Sequence, residues 1–210
     1  MSFPLAGESP LLSLGEHVNV APWRSLLTGA LHRNRSLVYA RYLQLATVRS
    51  DGRPANRTVV FRGFYEPMNQ LQFVSDRRGE KISQIADCSW GEACWYFPKT
   101  REQFRLLGEL KIIDIDNPDL QLSQLRQTLW QQLSEVARSQ FYWPDPAAPK
   151  AESNAFEPPQ PIPQQPPETF CVLLLQPHQV DHLELRKTPQ NRYRYYYDPD
   201  KGWLIESVNP

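Results

Sequence analysis

Arg57-Thr58-Val59-Val60-Phe61-Arg62-Gly63-Phe64 is the stretch that decides the fold. Two arginines bracket a short β-branched and aromatic run. Val, Thr and Phe suit a pleated, half-buried surface, so the run reads as a strand. An apolar strand needs no arginine at either end, but gains one when something anionic lies along its edge. The guanidinium fork matches phosphate geometry. Just upstream, Leu43-Gln44-Leu45-Ala46-Thr47-Val48 reads as a second strand, and Asp51-Gly52 between the two is a hairpin turn signal. Tyr42–Val48 and Asn56–Phe64 therefore form a hairpin.

Outward from the hairpin the chain continues in short strands. Leu71–Ser75, Ala93–Phe97 and Gln103–Ile113 precede residue 114. Phe170–Leu175, Gln179–Leu185, Tyr193–Tyr197 and Trp203–Val208 follow residue 169. Residues 1–20 read as irregular. Ala21-Pro22-Trp23 opens a helix with proline in its first turn, and Trp23, Leu26, Leu27, Ala30 and Leu31 share a face. Gly79 to Cys88 suggests a short helix with Ile82, Ile85 and Ala86 inward. Asn117-Pro118-Asp119 starts another, and Leu122, Leu125, Leu129, Leu133 and Val136 recur at threes and fours, which predicts an amphipathic helix over 118–138. Strands and helices do not alternate, which argues against a doubly wound parallel sheet. A mostly β domain with peripheral helices, an antiparallel closed or split barrel, fits the pattern.

The 210 residues suit one domain, 1–210, with an insertion at about 144–168. That insertion is rich in Pro, Ala, Gln and Glu, and the chain as a whole carries 20 prolines. Such a segment buries too little apolar surface to offset its ordering, and reads as an extended or mobile surface insertion. A proline-rich ligand for a partner domain is the other reading. A formal net charge of +0 lacks the basic footprint of a nucleic-acid binder. No window approaches the roughly eighteen consecutive apolar residues of a membrane helix. Met1 to Gly15 has no basic start followed by an apolar run, so no signal peptide is expected. Cys88, Cys94 and Cys171 have neither zinc nor disulfide spacing and suit reduced, cytoplasmic thiols.

Ordinary catalytic groupings are missing from the pattern. His17, His32, His178 and His182 form no metal-binding pair on a helix and read as structural. Nine glycines include no phosphate-cradling fingerprint, so any anion must be held by side chains and strand edges. The candidate cations are Arg57, Arg62, Arg77, Arg78 and Lys81. Arg78 and Lys81 stand at the start of the short helix, where free backbone donors add to side-chain charge, and Ser75 adds a hydroxyl. Taken alone, a solvated charged turn is the simpler reading. Gln103 offers a donor and an acceptor at a strand start, which suits the edge of a pyrimidine ring and equally suits an ordinary polar end.

The order of Arg57–Phe64, then Ser75-Asp76-Arg77-Arg78-Gly79-Glu80-Lys81, then Glu102-Gln103-Phe104-Arg105-Leu106-Leu107-Gly108 resembles the pyridoxamine 5′-phosphate oxidase-related proteins. The likeness runs from about residue 21 to the C-terminus and is nearest to a branch common in cyanobacteria and plants. The resemblance implies an FMN-binding split β-barrel and a homodimer with two FMN sites between subunits. By the same resemblance Arg57 and Lys81 bind the FMN phosphate, with Arg78 helping. Thr58, Val59 and Val60 line the flavin, Ser75 bonds the ribityl or phosphate end, and Gln103 holds the ring edge. Arg62 stands where the oxidases carry a lysine near flavin and substrate, and Arg62 or Arg105 would stabilise reduced anionic flavin. Arg194 matches an arginine that reaches the flavin of the partner subunit.

The departures from the family pattern concern the substrate. The oxidases use an Arg-x-His pair near the C-terminus, and here the corresponding stretch is Gln190-Asn191-Arg192. Leu183 aligns with a tryptophan that packs by the flavin, and Glu80 replaces a basic residue in the phosphate turn. Three functions follow: an FMN-dependent oxidoreductase with an altered substrate site, a true pyridoxamine or pyridoxine 5′-phosphate oxidase, or a flavin-binding module without turnover. Neither a catalytic acid or base nor the small-molecule substrate is named by the sequence.

Overall fold

A computed structural model describes residues 20–66 and 68–210. The expected irregular start, Val20 excepted, and His17 lie outside the described residues. In chain order the elements are α1 (Pro22–Asn34), β1 (Tyr42–Val48), β2 (Pro54–Val60), β3 (Gly63–Tyr65), β4 (Gln70–Asp76), α2 (Glu80–Asp87), β5 (Trp90–Phe97), β6 (Glu102–Ile113), α3 (Leu120–Gln132), α4 (Glu135–Ser139), β7 (Phe170–Glu184), β8 (Asn191–Asp198) and β9 (Gly202–Val208). The strands form one antiparallel sheet in the order β2-β1-β5-β6-β7-β4-β3, and the β8–β9 hairpin pairs with β7. The sheet curls: the backbone N–H of Arg62, just past β2, donates to the Gln72 carbonyl in β4 at 2.9 Å. The result is the expected mostly β split barrel with helices outside it.

The hairpin forms as its sequence suggests, with Leu45 opposite Arg57 and Leu43 opposite Val59. Gly52 takes φ +82 in the turn, which favours glycine. Three element boundaries differ from the pattern reading. The 56–64 strand is two, because the chain breaks at Phe61-Arg62 and re-enters at Gly63 with φ +147. The two strands expected at 170–175 and 179–185 are one long β7. Pro177 sits inside it opposite Gly108, where the register shifts, so the proline is absorbed at an irregularity. The expected 118–138 helix ends at Gln132, where Leu133 turns extended with ψ 143, and Ser134 caps α4 by accepting from the Ala137 N–H. The cap of α3 is Asp119, whose carboxylate accepts from the N–H groups of Gln121 and Leu122. Leu26, Ala86 and Val136, expected inward, face outward.

Two apolar cores lie on the two faces of β7, which is why its first six residues are all buried. Leu173 and Leu175 join the barrel core with Trp23, Leu43, Trp95 and Phe104. Phe170, Val172 and Leu174 pack under α3 against Leu129 and Trp130. His182 is buried in β7 with its ring stacked on Phe104 at 4.1 Å. The proline-rich segment is tied down through its carbonyls. Trp130 Nε1 donates to Pro163 O, Gln127 to Gln164 O and Arg126 to both Pro167 O and Phe170 O. Ile162 packs into the second core.

Candidate functional site

β2 is the last strand of the sheet on its side and hydrogen-bonds to β1 alone, so the backbone of Thr58–Val60 has a free edge. Across from that edge, the end of β4 and the start of α2 bring Ser75 and Lys81 together, with Lys81 Nζ donating to Ser75 Oγ at 2.9 Å. Arg57 closes the corner. Its Nη1 donates to Thr47 Oγ1 at 2.6 Å and to the Leu45 and Ala55 carbonyls, and its Nη2 donates to Gln84 Oε1 at 3.0 Å. Gln84 is buried and also accepts from the Thr47 hydroxyl. The arginine is thus locked by uncharged acceptors. Burial, then Arg49, pulls its guanidinium down, and burial, then Arg57, does the same to the Lys81 ammonium. Among the described residues no carboxylate hydrogen-bonds to either cation. Asp76 and Glu80 act on Lys81 and Arg57 through space, but burial and the like charge of the neighbouring cations outweigh them, which suits the pair to an anion.

A cavity of about 680 Å³ opens from this corner, within the range of roughly 300–1,000 Å³ usual for small-molecule sites. Arg57, Thr58, Val59, Val60, Arg62, Ser75, Arg78 and Lys81 all line it. Eight of the eleven sequence candidates therefore converge. Arg62 lies along its wall with Nε buried and without a hydrogen-bond partner. Burial, then Arg41, lowers its guanidinium. Cys171 lies under the floor, its Sγ donating to the Ser75 carbonyl at 3.3 Å, and burial pushes its thiol up to about 12.

The other three candidates stand elsewhere in the chain. Gln103, opposite Tyr96 and Leu183, and Arg105 lie on β6. Arg194 lies on β8 opposite Asp181. Arg105 and Arg194 converge on the buried Asp181 carboxylate, at 3.1 and 3.7 Å, together with Arg192 at 2.7 Å. Burial raises Asp181, but hydrogen bonds from Arg192 and Arg105 outweigh it and hold the carboxyl below its usual range. None of the three lines the cavity of its own chain.

The sequence reading missed the opposite wall. Pro144, Lys150 and Phe156, inside the segment read as a surface insertion, and Trp143 just before it line the cavity, joined by Leu133 and Phe141. The one signal for this wall was the aromatic pair Trp143 and Phe156 flanking an otherwise aliphatic-poor stretch.

Residues 20–114 match the family model described as pyridoxamine 5′-phosphate oxidase, FMN-binding domain. Over 204 residues the chain is 40% identical to pyridoxine/pyridoxamine 5′-phosphate oxidase 2 of Arabidopsis thaliana, covering 94% of this chain and 100% of that one. The chain belongs to the pyridoxamine 5′-phosphate oxidase family of FMN-binding proteins. Its fold matches the crystal structure of a pyridoxamine 5′-phosphate oxidase-related FMN-binding protein from Nostoc punctiforme PCC 73102, at 56% identity and TM-score 0.88, over 91% of this chain and 100% of that one. A more distant match in fold is PhzG from Burkholderia lata 383, solved with tetrahydrophenazine-1-carboxylic acid, at 19% identity and TM-score 0.68, over 89% of each chain. The cofactor of this oxidase family is FMN, and the geometry suits it. The corner offers a hydroxyl and two desolvated cations to a phosphate, and the free strand edge offers backbone groups to a flat ring.

Proposed function

We propose that the chain is an FMN-dependent oxidoreductase of the cytoplasm, acting as one domain per subunit of a homodimer, with a substrate site altered from that of the pyridoxamine 5′-phosphate oxidases. The observation that carries this reading is the Arg57–Ser75–Lys81 corner, two half-buried cations that hydrogen-bond to no described carboxylate, in a cavity along a free strand edge. In this reading Arg57, Lys81 and Ser75 hold the phosphate, and Thr58–Val60 lie along the ring. When bound, FMN supplies the electron or hydride transfer, while the protein binds, orients and tunes it. Arg62, whose buried Nε has no hydrogen-bond partner, adds positive charge to the wall of the same cavity.

The separation of the candidates supports a dimer. Gln103, Arg105 and Arg194 lie away from the cavity of their own chain, and a two-fold related copy would bring the same residues to its partner's cavity. Exposed Tyr42 and Tyr96 on the β1 and β5 face give such an interface apolar area. No described helix is long and apolar enough to cross a membrane.

The name of the Arabidopsis relative favours a second reading, oxidation of pyridoxine or pyridoxamine 5′-phosphate itself. Against it stands the stretch Gln190-Asn191-Arg192, which has no histidine and whose arginine is committed to Asp181 through both Nε and Nη2. The test begins with the visible spectrum of the purified protein, followed by anaerobic reduction with NADH or NADPH and reoxidation by oxygen or a dye. Bound flavin that cycles supports the proposal. Bound flavin that neither donor nor any vitamin B6 phosphate reduces leaves a flavin-binding module, and no flavin at all rejects the site.

A further inference from the structure

Residues 143–156 cross one side of the cavity with no strand and a single turn of 3₁₀ helix at Ser153–Phe156. Their contribution to the lining is mainly apolar, from Trp143, Pro144, Pro146, Pro149 and Phe156. The rings of Trp143 and Phe156 meet edge to face at 5.7 Å. A stretch of this composition does not fix itself in place, and Arg78 supplies the tie. Its Nη1 donates to the Trp143 carbonyl at 2.9 Å and to the Asp145 carboxylate at 3.0 Å. Its Nε and Nη2 donate to Asp76 at 3.0 and 2.6 Å. Two carboxylates and a carbonyl thus occupy the guanidinium fork, which leaves no pair of parallel donors for a phosphate. Two residues beyond Asp145, Ala147 takes φ +62, a conformation an alanine keeps only where its surroundings hold it.

We propose that Arg78 is a positioning residue, the latch that seats the 143–156 strap as the apolar wall of the substrate half of the cavity, rather than a ligand of the FMN phosphate. This deepens the FMN reading and rests on it. The turn that carries Lys81 also carries the latch, so one short segment sets both the phosphate corner and the wall that selects and shields the substrate. The substrate class that fits such a wall is a molecule that sets an apolar face against Trp143, Pro144 and Phe156.

Lys150 is an exposed trypsin site on the strap, and cleavage there reads the strap directly, since proteolysis follows the population of the open form. In Arg78→Ala, cleavage after Lys150 is expected to speed up by about tenfold, the equivalent of one charge-assisted hydrogen bond, with the FMN Kd within about threefold of wild type. Asp145→Asn, which keeps the Arg78–Asp76 pair, is expected to shift cleavage in the same direction by less. Lys81→Ala is expected to do the reverse, weakening FMN while cleavage matches that of wild-type protein stripped of flavin. An FMN Kd raised as much in Arg78→Ala as in Lys81→Ala would overturn the proposal, as would unchanged cleavage in both strap variants. Should Arg78→Ala fail to fold, Asp145→Asn decides alone. Wild-type protein that binds no FMN would reject the cofactor site, while cleavage of the flavin-free variants would still read the latch.

Discussion

Lys81 donates to Ser75 at 2.9 Å, and among the described residues its ammonium has no carboxylate bonded to it. Burial and the neighbouring Arg57 lower its pKa. A lysine whose folded-state pKa lies below its unfolded value costs stability while it stays charged. The cost is present in full below the folded pKa and is relieved as pH rises from there to the unfolded value. At neutral pH the flavin-free protein therefore carries a penalty that a phosphate bound at the proposed corner would offset.

Lys81→Met should separate folding from binding. The flavin-free variant is expected to be more stable than wild type by roughly 0.5–2 kcal/mol, while FMN binds about tenfold to a hundredfold more weakly. Thermal melts with and without FMN measure both. In wild type, FMN affinity should begin to fall at a lower alkaline pH than an ordinary lysine would give, and the variant should lack that step. A flavin-free variant that melts below wild type would contradict the account.

Arg57→Ala should lose on both counts. It removes a proposed phosphate ligand, with an expected tenfold to hundredfold loss of FMN affinity. It also strips Thr47 and Gln84 of a shared donor, at a cost of about 1–3 kcal/mol. Fluorescence titration and urea unfolding give the two numbers, and unchanged FMN affinity would remove Arg57 from the site.

Mixed dimers test the contribution of the partner. Arg57→Ala and Arg194→Ala homodimers are each expected to bind FMN poorly. After refolding them together, a two-fold dimer places both lesions in one site and leaves the other site whole. Random mixing then restores tight binding in about a quarter of all sites. No recovery on mixing would place Arg57 and Arg194 outside a shared site.

Pyridoxamine 5′-phosphate should be a poor substrate. In Gln190-Asn191-Arg192, which stands where the oxidases carry Arg-x-His, the first place is glutamine and the third is an arginine bonded to Asp181, and a polar substrate loses rate where its partners are missing. In an oxygen-electrode assay with FMN-loaded protein, turnover well below the order of 1 per second is expected. A rate at or above that level would support the second reading.

Gly108→Ala should damage the fold rather than the site. A Cβ at Gly108 would meet the Gln176 carbonyl oxygen at 1.9 Å, where β6 and β7 shift register. Backbone on both sides cannot give way cheaply, so a loss of about 3 kcal/mol or outright failure to fold is expected. Chemical denaturation measures it, and near wild-type stability would refute the close approach.

Much of the barrel was legible because alternation is a strong signal where one sheet face is buried, as in β1, with Leu43, Leu45 and Thr47 inward. β7 was split in the reading because Pro177 normally ends a strand, and no local pattern announces a register shift that accommodates one. The corner of Arg57, Ser75 and Lys81 was found by motif order, and the elements carry all three to one place. The wall at 143–156 was not legible, since its order comes from Arg78 and from the carbonyl contacts of the following residues on α3, none of which leaves a period in the sequence. Arg105 and Arg194, read into the flavin site by motif order, meet within the chain at Asp181, a placement that spacing along the chain does not encode.

The free edge of β2 has a further consequence. Thr58-Val59-Val60-Phe61 is an uncharged run of strong strand formers with open backbone groups on one side, the kind of surface that recruits a strand from another molecule. Arg57 and Arg62 flank it as gatekeepers, and a cofactor seated along it would cover what they leave open. The supply of flavin in the cell would then govern how much of the newly made chain stays out of aggregates, as well as how much of it is active.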